Sequence, residues 1–380
     1  MKIKCQKQFF AKALQTISGV AIQRDIYPIL ENVRISTDNN QLLLKATDLK
    51  ISVTYILNKG IEIIEPGELL LPAAKLNNLV KETPDEEFRI EKDDFNGVLI
   101  TKDGRFYILG ENPQKFPEIP CFQEKGTMEI SGEDFRKLIN KTLFATTAEK
   151  TRYDFDNVMV NILENTIRFV STDGKRLALC EKKYQSLGDI KEKQFTVPAQ
   201  GLQQIQRVLS TTSPGKVILN VLENQFLFRT EDVILSTRLS DGKFPPYEKV
   251  MPQVLPYKIF FAQKDFASAL RRVCLLADEK NKIVQITFNH TCLNLFCRGE
   301  GTGEANVEIP AVYDGEPFSI KFNPNFLLDV LKVIDNSEIN IFLQDGQSAI
   351  LLKDGDDFRY VVLPIKVEEK KEEIKDGSSE

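Results

Sequence analysis

His290 is the only histidine in this 380-residue chain. One histidine with no nucleophile motif near it argues against a multi-histidine metal site and against a Ser-His-Asp triad. The six cysteines, Cys5, Cys121, Cys180, Cys274, Cys292 and Cys297, form no Cys-x-x-Cys pair. Set mostly among apolar neighbours, they read as reduced core residues rather than disulfides or metal ligands. Gly299-Glu300-Gly301-Thr302-Gly303 has the glycines of a nucleotide loop without the helix that should follow, and reads as a structural loop. Ser213-Pro214-Gly215-Lys216 lacks the upstream glycine of a phosphate loop and reads as a turn. The acids Asp93, Asp94, Asp154 and Asp156 show no metal-pair spacing and read as solvated carboxylates. No catalytic residue, cofactor or metal is expected, and binding is left as the chemistry to look for.

Phosphate binding needs cations, and the net charge of −5 at first opposes it. Distribution changes that reading. The windows 7–17, 74–82, 133–143, 199–208, 263–272 and 324–333, all with helical apolar spacing, hold twelve basic and five acidic residues. Their balance is +7, so the remaining chain carries −12. Either solvated helix faces simply favour lysine, or these helices share one surface turned toward phosphates.

Three copies of one pattern position these helices. The segments Met1 to Ala21, Thr127 to Ala148 and Tyr257 to Ala277 each open with a short apolar strand followed by a helix. A second helix follows a proline in each copy, after Leu71-Pro72, after Val197-Pro198 and at Asn323-Pro324. Thr47-Asp48 and Thr172-Asp173 lie 125 residues apart, as do Leu202 and Leu327. Between the helices, Asn32 to Ser36, Asn157 to Asn161 and Ile283 to Thr287 alternate as strands do. An α+β fold of three tandem domains is predicted, 1–122, 127–251 and 256–367, with 368–380 as a charged, disordered tail. No apolar run approaches a membrane span, and no signal segment follows Met1, so a cytoplasmic protein is expected.

The sequence resembles the beta sliding clamps of bacterial replicative DNA polymerase, over essentially the whole chain to about Val367. The resemblance is carried by Tyr27-Pro28-Ile29-Leu30-Glu31-Asn32, Ala46-Thr47-Asp48-Leu49 and Ser171-Thr172-Asp173-Gly174-Lys175-Arg176-Leu177-Ala178. Asp241-Gly242-Lys243-Phe244-Pro245-Pro246-Tyr247 and Tyr360-Val361-Val362-Leu363-Pro364-Ile365 complete it, in the same order and spacing. The resemblance implies the DNA clamp fold and a head-to-tail homodimeric ring lined by twelve helices. Twelve axes about 10 Å apart fit a circle of about 38 Å diameter, leaving a bore of roughly 27 Å, whereas six would leave about 8 Å. Only the larger bore admits a duplex roughly 20 Å across, so two chains are needed.

Residue by residue, the resemblance implies DNA contact at Arg24, Lys75, Arg152, Tyr153 and Gln200, and helix charge adds Lys12, Lys137 and Arg272. Gln200 is neutral where relatives often carry a base, and Asp154 stands where they often carry an aromatic. Polymerase, clamp loader and repair proteins are expected to dock short linear peptides in an apolar trough with a basic rim. That trough is assigned to Phe155, Thr172, Gly174, Lys175, Arg176, Leu177, Pro245, Lys249, Val250, Val361, Val362, Leu363, Pro364 and Ile365. For the subunit contact, Leu275 and Leu276 of one chain are expected to face Phe106 and Ile108 of the other. An enzyme with a carboxylate-held metal and a scaffold that binds only proteins are the rival classes.

Overall fold

The computed structural model describes residues 1–21, 27–149, 152–253, 255–277 and 282–365. Arg24 and the tail 368–380 lie outside the described residues. The six α-helices are α1 (Lys7–Ile17), α2 (Ala73–Glu82), α3 (Gly132–Leu143), α4 (Ala199–Thr212), α5 (Gln263–Cys274) and α6 (Pro324–Leu331). They match the predicted windows within a few residues, except that α4 runs on to Thr212.

Local chemistry sets their starts. Pro72 and Pro198 end the strands Glu68–Pro72 and Lys193–Pro198 and cap α2 and α4, while Pro324 opens α6. Proline cannot donate to a strand ladder, but its fixed φ suits a first helical turn. Ser131 Oγ accepts from the Asp134 amide at 3.0 Å and so caps α3. The first helix of each repeat sends a phenylalanine into an aromatic core. Phe10 meets Phe88 edge-on at 5.4 Å, Phe135 meets Phe169 edge-on at 5.9 Å, and Phe266 lies 4.6 Å from Phe261. Edge-on and offset pairs place ring edges against ring faces, adding to the burial of large apolar area.

The chain divides into two compact units. Unit 1 comprises Met1–Ser171 and Cys180–Pro245, and unit 2 takes Thr172–Leu179 and everything from Pro246. In unit 1 the first two repeats share a nine-stranded antiparallel sheet. Its strands, in spatial order, are Gln185–Ser186, Met128–Ser131, Lys216–Val221, Gln225–Arg229, Val233–Arg238, Ile51–Leu57, Gln41–Thr47, Asn32–Asp38 and Glu68–Pro72. The join between the repeats is Val233–Arg238 against Ile51–Leu57, with Leu235 opposite Val53. A five-stranded sheet ends at the edge strand Arg105–Ile108.

In unit 2 the strands Phe358–Val362, Ile350–Asp354, Glu338–Leu343, Tyr257–Ala262 and Val312–Tyr313 lie side by side. A four-stranded sheet there ends at the edge strand Gly303–Pro310. Gly299 to Gly303 is the hairpin turn into that strand, as predicted, with the Thr302 amide donating to Gly299 O. All six cysteines are free thiols; Cys121 is exposed, against the expectation of core residues. Among the described residues no helix is long and apolar enough to cross a membrane.

Candidate functional site

The predicted binding residues fall into two groups. The first sits on helices, taken unit by unit. In unit 1, α1 packs against both α2 and α4, and α4 packs against α3, so four helices form one layer; in unit 2, α5 packs on α6. The exposed basic residues on the helices are Lys75, Lys81, Arg136, Arg207, Lys264, Arg271 and Arg272, against three exposed acids, Glu82, Glu133 and Asp265. Two of the twelve cations counted from sequence serve other ends. Lys141 is only 3% exposed. Lys7 Nζ donates to Lys81 O at 2.9 Å and to Thr83 O at 2.5 Å, closing the carboxyl end of α2.

Of the predicted DNA contacts, Lys75, Arg152, Gln200 and Arg272 are exposed and Lys12 is half-buried. Lys137 pairs with Glu133 one turn back at 3.1 Å. The Arg152 guanidinium lies 5.8 Å from the Tyr153 ring centroid, and that ring leans on Phe155.

The second surface lies in unit 2, and a tight turn builds it. Thr172 Oγ1 accepts from the Gly174 amide at 3.0 Å and donates to Arg176 O at 2.6 Å. Asp173 Oδ1 accepts from the Lys175 and Arg176 amides at 2.9 and 3.0 Å. Gly174 takes φ +85°, a left-handed value that a Cβ would penalise. The Leu363 amide then donates to Lys175 O at 2.9 Å, fastening the chain after Val362 to the turn. The structure thus brings Thr172, Gly174, Lys175, Arg176, Leu363 and Pro364 together.

Three residues of the predicted trough sit within strands. Leu177, Val361 and Val362 are buried in the sheet, which leaves Leu363, 42% exposed, as the open apolar side chain beside the turn. Lys249 and Val250 are exposed on the short helical turn Tyr247–Val250. Phe155 and Pro245 lie in unit 1, where Phe155 is buried.

Arg176 is the best-tethered side chain of this surface. Its Nε donates to Asp173 Oδ2 and its Nη1 to Asp329 Oδ2, both at 2.9 Å. Its guanidinium lies over the Phe326 ring, 4.6 Å from the centroid. Burial works against its charge, but the Tyr360 hydroxyl and the two carboxylates more than offset that, so its pKa rises. For Asp329, burial pushes the carboxyl up, yet Lys332 and Arg176 outweigh it and hold the pKa below the ordinary value. Tyr360, pushed up by burial, donates to Phe326 O at 2.9 Å. Phe326 and Asp329 escape the sequence reading, since α6 shows only apolar spacing and one acid, and Tyr360 is legible there only as part of a family motif.

Both units also present an unpaired sheet edge. Along Arg105–Ile108, Phe106 and Tyr107 are exposed, as is Leu109 just beyond it, while Ile108 is 5% exposed and turned inward. Leu275 is 80% exposed just past α5, and Leu276 is half-buried. Among the described residues no three His, Cys, Asp or Glu side chains are grouped to hold a metal ion.

Three tandem domains with six helices on antiparallel sheets define a clamp fold. Residues 1–120, 129–246 and 248–366 match, in turn, the N-terminal, central and C-terminal domains of the DNA polymerase III beta subunit. The beta sliding clamp of Pseudomonas putida is 30% identical over 370 residues, 97% of this chain and 100% of that protein. The crystal structure of the DNA polymerase III subunit beta from Pseudomonas aeruginosa superposes with a TM-score of 0.89 at 28% identity, covering 97% of this chain and 100% of that one. A sliding clamp from the same organism bound to griselimycin gives a TM-score of 0.90, at the same identity and coverage. The chain belongs to the DNA polymerase III beta-subunit family. Its function is that of a DNA sliding clamp, a non-catalytic subunit that tethers the polymerase.

Proposed function

We propose that two copies of this chain close head to tail into a ring around duplex DNA, and that partner proteins dock short peptides on the unit 2 turn surface. The excess of exposed cations over acids on the helices carries this reading. Lysine and arginine contacts to phosphate hold no sequence information, so the ring can slide while topology prevents escape. Arg24, Lys75, Arg152, Tyr153, Gln200, Lys12, Lys137 and Arg272 are the proposed DNA contacts. Ring closure is supported by the two unpaired edges, because unlike surfaces that join head to tail form closed rings. Phe106, Tyr107 and Leu109 on one edge would meet Leu275 and Leu276 at the other. The repeat boundaries are placed at 122–127 and 251–256, and the working compartment is the cytoplasm.

The docked peptide is apolar and acidic. Leu363 and Pro364 offer apolar contact, while Lys175 and Lys249 supply the positive rim. Griselimycin bound to relatives of similar fold supports a ligand site on such clamps. The test is retention on nicked circular DNA after loader-assisted loading, compared with the same DNA linearised. Retention on the circle and run-off from free ends are expected; equal retention on both would overturn the ring.

A further inference from the structure

The turn surface carries two basic side chains side by side, and they are held in opposite ways. Arg176 has a carboxylate on each of two edges of its guanidinium, an aromatic ring against its face and a tyrosine hydroxyl beside it. Its side chain is 9% exposed. A peptide carboxylate would compete for it with Asp173 and Asp329, which already hold Nε and Nη1. Asp329 in turn has its second oxygen on Lys332 Nζ at 2.8 Å, so the arginine, the lysine and the two aspartates cancel in charge.

Lys175 is the reverse case. Its backbone is fixed at both ends, by Asp173 Oδ1 and by the Leu363 amide, while its side chain is exposed with no ion pair among the described residues. An ammonium on a fixed base beside the open Leu363 side chain is placed to meet an acid flanking an apolar anchor.

We propose that Asp329 is the positioning residue of the peptide surface, locking Arg176 into a charge-neutral wall, and that Lys175 alone of the two cations reads acidic residues in a bound peptide. This rests on the peptide-docking reading above. The division of labour makes Arg176 matter for shape and Lys175 for charge. The two roles separate in a double-mutant cycle, because a residue that does not touch the peptide charge shows no coupling to it.

The experiment titrates the full chain with two fluorescein-labelled pentapeptides of leucine and phenylalanine around one central residue, aspartate in one and asparagine in the other. The wild-type chain should prefer the aspartate peptide by about threefold, as an exposed ion pair allows. Lys175→Gln should remove most of that preference, leaving only what Lys249 on the rim contributes. Arg176→Gln should weaken both peptides alike, by about tenfold, and keep the preference. Asp329→Asn, an isosteric change, should weaken the asparagine peptide and enlarge the preference, because one guanidinium edge is released. That enlargement is something a merely structural residue would not produce. Thermal unfolding of each variant confirms that a folded chain is being titrated.

Loss of the preference in Arg176→Gln with its survival in Lys175→Gln would overturn the assignment, as would a wild-type chain that binds both peptides equally. If neither peptide binds the wild-type chain, the docking reading itself fails, and the assignment falls with it.

Discussion

The turn Thr47 to Ile51 in unit 1 and the turn Thr172 to Arg176 in unit 2 share one backbone. Thr47 Oγ1 accepts from the Leu49 amide and donates to Ile51 O, both at 3.1 Å, as Thr172 does for Gly174 and Arg176. Asp48 Oδ1 accepts from the Lys50 and Ile51 amides, as Asp173 does for Lys175 and Arg176. The Arg238 amide donates to Lys50 O at 2.8 Å, where Leu363 donates to Lys175 O. Each pair of equivalent residues is 125 positions apart.

What differs is the side chains standing on that frame. Where unit 2 has Arg176, Phe326 and Asp329, unit 1 has Ile51, Gly201 and Gln204 at the same offset. A Cβ at Gly201 would meet Thr237 Oγ1 at 2.3 Å, so α4 lies close against its strand, whereas Phe326 on α6 supplies the ring under the Arg176 guanidinium. The apolar Leu363 is replaced by Arg238, which with Lys50, Gln200 and Asp154 borders a cavity of about 840 Å³. The repeated turn supplies a rigid frame, and three substitutions decide whether that frame carries an aromatic-arginine wall or a sealed helix-strand contact.

The largest effect is expected at Arg176. Arg176→Met removes two charge-assisted hydrogen bonds, to Asp173 and Asp329, and should cost about 3 kcal/mol in urea unfolding of unit 2. Ile51→Met, its counterpart, conserves an apolar side chain and should cost less than about 1.5 kcal/mol. Equal costs at the two sites would show that the arginine wall holds nothing together.

Gly201→Ala tests the sealed side. With Thr237 in the way, the added methyl should cost about 2 kcal/mol, seen as a lower urea midpoint with an unchanged slope. A neutral result would mean that α4 can shift outward.

A smaller effect is expected at the turns themselves. Leu49 holds φ +72° where its copy is a glycine at +85°. Gly174→Leu should cost about 1–2 kcal/mol, whereas Leu49→Gly should change stability by no more than about 0.5 kcal/mol, since relieved strain offsets added chain entropy. Thermal melts of the two variants distinguish these outcomes.

The smallest effect is expected in acid. Asp329 has a folded pKa below its ordinary 3.8, so its stabilisation is complete above 3.8 and lost as pH falls through the lower folded value. The groups facing it are Arg176, Lys332, Asp173 and Tyr360. Melting midpoints between pH 5 and 3 should fall less steeply in Asp329→Asn than in the wild type; parallel curves would remove Asp329 from the acid response.

The three-repeat plan, the six helix positions and the family were legible in the sequence because each follows from local signals. Prolines, helical apolar spacing and the 125-residue offset are properties of consecutive residues. Thr172, Gly174 and Arg176 could be named because the family resemblance covers the contiguous run Ser171 to Ala178. Where the sequence reading failed, distance along the chain is the reason. Asp329 is 153 residues from Arg176 and Phe326 is nearer by only three, so no periodicity links them to the turn. Val361 and Val362 read by composition as an ordinary buried strand, which is how they fold, and only the family resemblance places them in a peptide trough. Lys141 counts as a surface cation until the helix is packed. Sequence alone settled which elements form and how often they recur; the tertiary structure decided which of their side chains meet, because those contacts are long-range and depend on how α6 is held against the turn.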